Sequence, residues 1–242
     1  TRGIDSHCLS MYSHCTMDDG RGRPLDPAAI DAVLFDLDGT LMDTDDQIVE
    51  NLGRRLQRLG WPGLYESARR LVMITETPVN WSMTVLDAVG LDAPLMGLWT
   101  WLRRLRDASE NPEYRLVADA RALLAHLHTR YRLGIVTTRG KDDAEAFTGQ
   151  HDLDSTFDVV VTREDTWRLK PHPAPICEAA RRLGVPAGRC AMVGDTSVDV
   201  TSARRAGAYA VAVLCGFGER GELVRAGADV VLEHTADLRS RL

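Results

Sequence analysis

No apolar run in this chain approaches the length needed to cross a bilayer, and no continuous apolar stretch of signal-peptide type lies near its beginning. No membrane partner is therefore expected. Cysteine is sparse, with five residues, Cys8, Cys15, Cys177, Cys190 and Cys215. An odd count at irregular spacing is not a disulfide framework. Cys190 and Cys215 lie in or beside apolar runs and read as buried free thiols, so a reducing cytoplasm is the expected compartment. A basic excess is also missing. Lys and Arg total 29 against 35 Asp and Glu, a formal net charge of −6. Nucleic acid is thus not the expected partner, because phosphate backbones need clustered cations. Internal repeats, low-complexity segments and a His/Cys set of the kind that holds catalytic zinc are all absent.

What is present is a chain of 242 residues, 44% of them hydrophobic. That suffices for one large domain, or for a core carrying a smaller one. Residues 1–28 read as a flexible tail, polar and rich in Gly, Ser, His and Asp. His7-Cys8 and His14-Cys15 match no familiar zinc spacing and belong to that tail, in which Met11 and Met17 are candidate start residues. Six short apolar runs follow, at residues 32–36, 131–137, 157–161, 190–195, 208–213 and 229–232. Helical periodicity separates most of them, over 119–129, 173–183 and 197–206, with Gly207 placed to end the last. Nearly continuous apolar strands alternating with helices predict a parallel sheet covered on both faces. Between residues 42 and 115 the alternation stops. Ile48, Leu52, Leu56 and Leu59, then Leu95, Leu98, Leu102 and Leu105, recur at helical spacing. This stretch reads as an all-helical insertion whose Leu and Trp stripes form its own core.

In a parallel sheet, ligands bind beyond the carboxyl ends of the strands. The first strand delivers Asp36 and Asp38 to that edge, the second Thr137 and the fourth Asp195. Residues two apart on an extended chain face the same side, so Asp36 and Asp38 share a crevice. Two carboxylates so close are costly unless a cation or a proton intervenes. Gly39 lets the backbone turn sharply there. In Gly194-Asp195-Thr196-Ser197-Val198-Asp199, Ser197 is a plausible helix N-cap, and Asp199 falls in the first helical turn, where the dipole favours a carboxylate. Hard oxygen ligands from Asp36, Asp195 and a backbone carbonyl suit Mg²⁺. Lys170, held outside the following helix by an extended entry at Pro171, is placed to neutralise the carboxylates and a substrate phosphate together.

Taken in order, these elements resemble the haloacid dehalogenase-like hydrolase superfamily. Asp36-Leu37-Asp38-Gly39-Thr40 matches its first motif, Thr137 its second, Lys170-Pro171 its third, and Gly194 to Asp199 its fourth. The resemblance covers about residues 31–240. It implies a Rossmann-like α/β core, over 29–41 and 116–242, with an inserted all-helical cap over 42–115. The cap looks similar to that of phosphoglycolate phosphatase and beta-phosphoglucomutase relatives. The implied activity is that of a Mg²⁺-dependent phosphoric monoester hydrolase acting on a small phosphorylated metabolite, as a monomer or homodimer. In the implied roles Asp36 is the nucleophile that becomes an aspartyl-phosphate. Asp38 is the general acid and base. Asp36, Asp195 and the Asp38 carbonyl hold the metal, Thr137, Lys170 and the backbone near Gly39 hold the phosphate, and Asp199 orients metal-bound water or Lys170. Substrate selection falls to the cap, with Thr75, Glu76 and Thr77 as candidates, and to Thr138 and Arg139. Arg139 either reaches a second anionic group on the substrate or stands in solvent.

Alternatives within the superfamily are a dehalogenase, disfavoured by Asp38, and a phosphonate hydrolase, rejected because residues 42–115 contain no Lys for a Schiff base. A sugar-phosphate mutase stays open, as does an inactive relative serving as a binding or regulatory protein. A signalling receiver domain shares the acidic pocket, Thr and Lys but lacks the first motif, the fourth motif and the insertion.

Overall fold

The computed structural model describes residues 23–43 and 114–242. The expected cap, with Thr75, Glu76 and Thr77, and most of the expected tail lie outside the described residues. At the tail's end, Arg23 lies 3.4 Å over the Tyr209 ring, and its backbone N–H donates to Asp229 at 2.7 Å. Asp26 caps a short 3₁₀ turn, Pro27–Ala29.

Six strands form one sheet: β1 (Ala32–Phe35), β2 (Arg132–Val136), β3 (Val159–Val161), β4 (Cys190–Gly194), β5 (Tyr209–Val213) and β6 (Val230–Leu232). All pairings are parallel, in the order β3-β2-β1-β4-β5-β6. This is the expected Rossmann-like core. Every residue of β1, β4 and β5 is buried, which is why these strands read as unbroken apolar runs. Among the described residues five helices cover the sheet: α1 (Ala120–Leu127), α2 (Lys141–Gln150), α3 (Ala174–Leu183), α4 (Ser197–Ala206) and α5 (Arg220–Arg225). Val33 and Phe35 pack in one layer with Leu123, Leu124 and Leu127 of α1 and Phe147 of α2. Ala32 and Leu34 pack in the other with Ile176, Ala179 and Leu183 of α3 and Ala203 of α4. The alternation of β1 thus feeds two cores from one strand.

Two local expectations are corrected. The N-cap of α4 is Thr196, not Ser197, which is the first helical residue. Thr196 and Asp199 form a capping box, each side chain bonding the other's backbone N–H. The approach to α3 is a turn rather than an extended segment, since the N–H of His172 donates to the Leu169 carbonyl at 2.8 Å. Gly207, at φ 74°, ends α4 as expected. Among the described residues no helix is long and apolar enough to cross a membrane. Cys177, Cys190 and Cys215 are free thiols; Cys190 is buried, whereas Cys215 is only half-buried.

The order of the sheet sets the site. From β1 the chain winds one way through β2 and β3, and β4 returns to the other side of β1. The reversal opens a crevice at the carboxyl ends of β1 and β4. Asp43 N donates to Arg115 O at 2.8 Å, and Val117 N to Leu41 O at 2.9 Å. The residues on either side of 44–113, Leu41 to Asp43 and Arg115 to Val117, are therefore laced side by side, a few residues from Asp38.

Candidate active site

The strand ladder continues one residue past the sheet. Asp36 N bonds Val193 O at 2.9 Å, and Thr137 N bonds Val161 O at 3.0 Å. This fixes the backbones of Asp36 and Thr137 rigidly at the carboxyl edge. Beyond Asp36 the chain folds back at once, with Met42 N donating to Leu37 O at 2.8 Å and Gly39 N donating to Met42 O at 2.9 Å. The Gly39 N–H is thus committed within the turn. Its contribution is shape. Gly39 has φ +67°, and a Cβ there would lie 2.4 Å from Asp195 Oδ2. Gly39→Ala should therefore cost both left-handed strain and displacement of Asp195. We expect a loss of about 2 kcal/mol or more in urea denaturation, accompanied by loss of turnover.

Asp36, Asp195 and Asp199 bring carboxylate oxygens within 4.8 Å of one another, and all three are buried. Lys170, only 4% exposed, stands among them. Its Nζ donates to Asp199 Oδ1 at 2.6 Å and to the Val136 carbonyl at 2.9 Å. It also lies 2.8 Å from Asp36 Oδ1, but outside hydrogen-bond geometry, so this buried oxygen has an ion-pair neighbour and no hydrogen bond. Burial, opposed by Lys170 and reinforced by Asp199 and Asp38, pushes the Asp36 carboxyl up to about 7. Burial also works against the Lys170 ammonium, yet Asp199 and Asp36 overcome it and raise its pKa above the ordinary lysine value. Lys170 is thus a buried charge within the site rather than a solvated one.

Each acid is held differently. Asp199 has both oxygens engaged, Oδ1 by Lys170 and Oδ2 by the Thr196 hydroxyl at 2.6 Å. Its capping-box position makes it a rigid prop for Lys170. Asp195 is fully buried. Its Oδ2 accepts from Phe217 N at 2.9 Å and its Oδ1 from the Thr40 hydroxyl at 3.3 Å. Thr40 is pinned in turn by the Thr235 hydroxyl, which donates to its carbonyl at 2.7 Å. Glycines wall Asp195 in, since a Cβ on Gly216 would come within 2.1 Å of its Oδ2.

Asp38 stands apart from the carboxylate cluster. Arg139 Nε donates to its Oδ2 at 2.8 Å and a terminal guanidinium nitrogen to its Oδ1 at 2.7 Å. Burial opposes the charge of Arg139, but Asp38, with Asp143 further off, raises its pKa above the ordinary value. Arg139 is therefore not solvated; its side chain is 13% exposed. Thr137 is buried and accepts from Arg139 N at 3.1 Å, and Thr138 is half-buried beside it.

The described geometry thus brings Asp36, Asp38, Thr137, Arg139, Lys170, Asp195 and Asp199 to one edge. Three buried carboxylates, one of them with an oxygen that makes no hydrogen bond, fit a metal ion. Sequence reasoning missed the Phe217 N–H, the props Thr40 and Thr196, and the Arg139–Asp38 pair. The one available signal was Gly216 and Gly218 flanking Phe217 directly after β5.

The pattern of the haloacid dehalogenase-like hydrolase family matches residues 33–213. The chain belongs to this family. Pyrophosphatase PpaX of Anoxybacillus flavithermus is 31% identical over 214 residues, 88% of this chain and 97% of its own. A Bacteroides fragilis structure, an inferred haloacid dehalogenase-like hydrolase, superposes with TM-score 0.66 at 26% identity, over 86% of this chain and 99% of that one. An inferred beta-phosphoglucomutase from Thermotoga maritima shares the fold, with TM-score 0.64 at 23% identity over 87% and 97% of the two chains. The chain is thus an enzyme of a hydrolase family, and the family span runs from β1 through β5, taking in every acid of the site.

Proposed function

We propose that this enzyme is a Mg²⁺-dependent phosphatase of small phosphorylated metabolites, working through an aspartyl-phosphate on Asp36. The observation that carries the reading is the buried cluster of Asp36, Asp195 and Asp199 at the strand tips, with the Lys170 ammonium 2.8 Å from Asp36 Oδ1. Asp36, Asp195 and the Asp38 carbonyl would hold the metal, which when bound draws a phosphoryl oxygen toward Asp36 and screens the repulsion between anions. Lys170 and Thr137 hold the other phosphoryl oxygens. An Asp36 oxygen bonds to phosphorus as the bond to the leaving oxygen breaks, and Asp38 gives that oxygen its proton. Asp38 then takes a proton from water, whose oxygen attacks phosphorus and releases Asp36. The four carboxylates of the site with a dianionic phosphate total about −6, against about +4 from Mg²⁺, Lys170 and Arg139. A proton on Asp38 reduces that excess, and this is the form an acid needs.

The name pyrophosphatase on a relative aligned over almost its full length adds inorganic pyrophosphate to the phosphate esters as a candidate substrate. A cytoplasmic enzyme fits the free thiols. The test is phosphate release from a panel of phosphorylated metabolites, phenyl phosphate and pyrophosphate, with Mg²⁺ and with EDTA. We expect release with Mg²⁺ and a loss of at least 100-fold with EDTA. Turnover indifferent to EDTA sinks the metal reading. Transfer of the phosphoryl group between sugars without free phosphate would favour the mutase alternative.

A further inference from the structure

We infer that Arg139 is a latch exchanged by the substrate. In the free site its guanidinium holds Asp38, and a second anionic group next to the phosphoryl group under attack takes the guanidinium over and releases Asp38 for proton transfer. This rests on the phosphatase reading above and names its substrate class: compounds with two neighbouring anionic groups, of which pyrophosphate is the simplest.

The reason lies in a conflict within the site. A general acid must turn an oxygen toward the leaving group. Both oxygens of Asp38 instead accept from Arg139, at 2.8 and 2.7 Å. A planar guanidinium offers two parallel donors that match a carboxylate and a phosphate equally well. Replacing one by the other therefore exchanges like for like, and the bond that blocks Asp38 becomes a bond that binds substrate.

Position supports the exchange. The Arg139 backbone is tied to the phosphate edge by the bond from its N–H to the Thr137 hydroxyl, at 3.1 Å. Its guanidinium lies 5.6 Å from the Tyr114 ring centre, and the Tyr114 hydroxyl bonds Asp143 at 3.3 Å. Burial and then Asp143 push the Tyr114 phenol up to about 12, so it stays a neutral platform behind the cation. Because Arg139 grips the residue that protonates the leaving oxygen, it sits on the leaving-group side. Lys170 is placed on the other side, beside Asp36 with Asp199 and the Val136 carbonyl, where it serves the phosphoryl group under attack. With pyrophosphate, an Asp36 oxygen bonds to one phosphorus and the bridging P–O bond breaks. Asp38 carries no proton while both its oxygens accept from Arg139, and it takes one from solvent once it is released. The electron pair of the broken bond stays on the bridging oxygen of the departing phosphate, which receives that proton from Asp38 while Arg139 holds the departing group.

The experiment compares kcat and KM on pyrophosphate and on phenyl phosphate, which has no second anion, for wild type, Arg139→Ala and Arg139→Lys. We expect Arg139→Ala to lower the ratio of kcat/KM on pyrophosphate to that on phenyl phosphate by about 30-fold or more, chiefly through the pyrophosphate KM. Arg139→Lys, which keeps charge but not the paired donors, should recover part of that ratio. Equal losses on both substrates would overturn the inference and leave Arg139 as a positioning residue for Asp38. Wild-type turnover of phenyl phosphate, or of panel esters with a single anionic group, without pyrophosphate would overturn it while sparing the phosphatase reading; turnover of neither substrate nor of any panel member sinks both.

Discussion

Asp36→Asn should reduce turnover by about 10⁴-fold or more while leaving a folded protein that melts higher than wild type in EDTA. The first effect follows from chemistry. A carboxamide has nearly the shape of a carboxylate but lacks its nucleophilic charge, and removing a covalent nucleophile takes away the whole two-step route. The second follows from the environment of Asp36. Its carboxyl is buried with one oxygen lacking a hydrogen bond, and it stands within reach of two further buried acids. Without metal, ionising it costs folding energy. Lys170 stays paired after the substitution, because Asp199 holds it at 2.6 Å. A gain of about 1 kcal/mol corresponds to roughly 2–4 °C for a chain of this size. Kinetics on homogeneous protein and a melting curve in EDTA read the two effects. Turnover within tenfold of wild type would rule out Asp36 as nucleophile. A lower melting point would mean that the carboxylate stabilises the free fold.

Parts of this site were legible before any coordinates, and physical reasons separate those parts from the rest. The six strands could be read because a strand buried on both faces must be apolar throughout, as Ala32–Phe35 and Tyr209–Val213 are. Asp36, Thr137 and Asp195 could be placed because each directly follows such a run. The helix Lys141–Gln150 left little trace. It buries only Ala144, Phe147 and Thr148, and its N-cap, Gly140, makes no side-chain cap bond. Thr196 and Ser197 are both competent caps, so sequence could not choose between neighbours one position apart. The Arg139–Asp38 pair joins residues 101 apart in the chain, and no periodicity encodes a contact between two loops. The Phe217 N–H is a backbone donor, and residue type says nothing of where it points.

Asp195→Asn should abolish the response of the protein to Mg²⁺, and with it most of the turnover. Asp195 is the acid whose surroundings leave least room for adjustment. Gly39 and Gly216 are the only residue type that fits against its Oδ2, and a Cβ on Gly218 would lie 2.1 Å from its carbonyl oxygen. An amide fits the same space. Its oxygen can accept from Phe217 N, and its NH₂ can donate to the Thr40 hydroxyl, which turns to accept. The substitution therefore removes a charge and spares the shape, so the fold should survive it. A ligand at 100 times its Kd stabilises the state that binds it by about 2.7 kcal/mol. For wild type this is a rise of roughly 5–10 °C in Tm on adding saturating Mg²⁺. The variant should show almost none of this rise at the same concentration. Its kcat should fall by about 100-fold or more, with partial recovery as Mg²⁺ is raised. The pairing of the two readouts matters, because Asp195 also anchors the turn through Thr40. If that anchor were its whole role, the variant would melt lower with and without metal, and the Mg²⁺ increment would match wild type. An unchanged increment would thus remove Asp195 from the metal site, whereas a lost increment on an unchanged baseline would place its charge there.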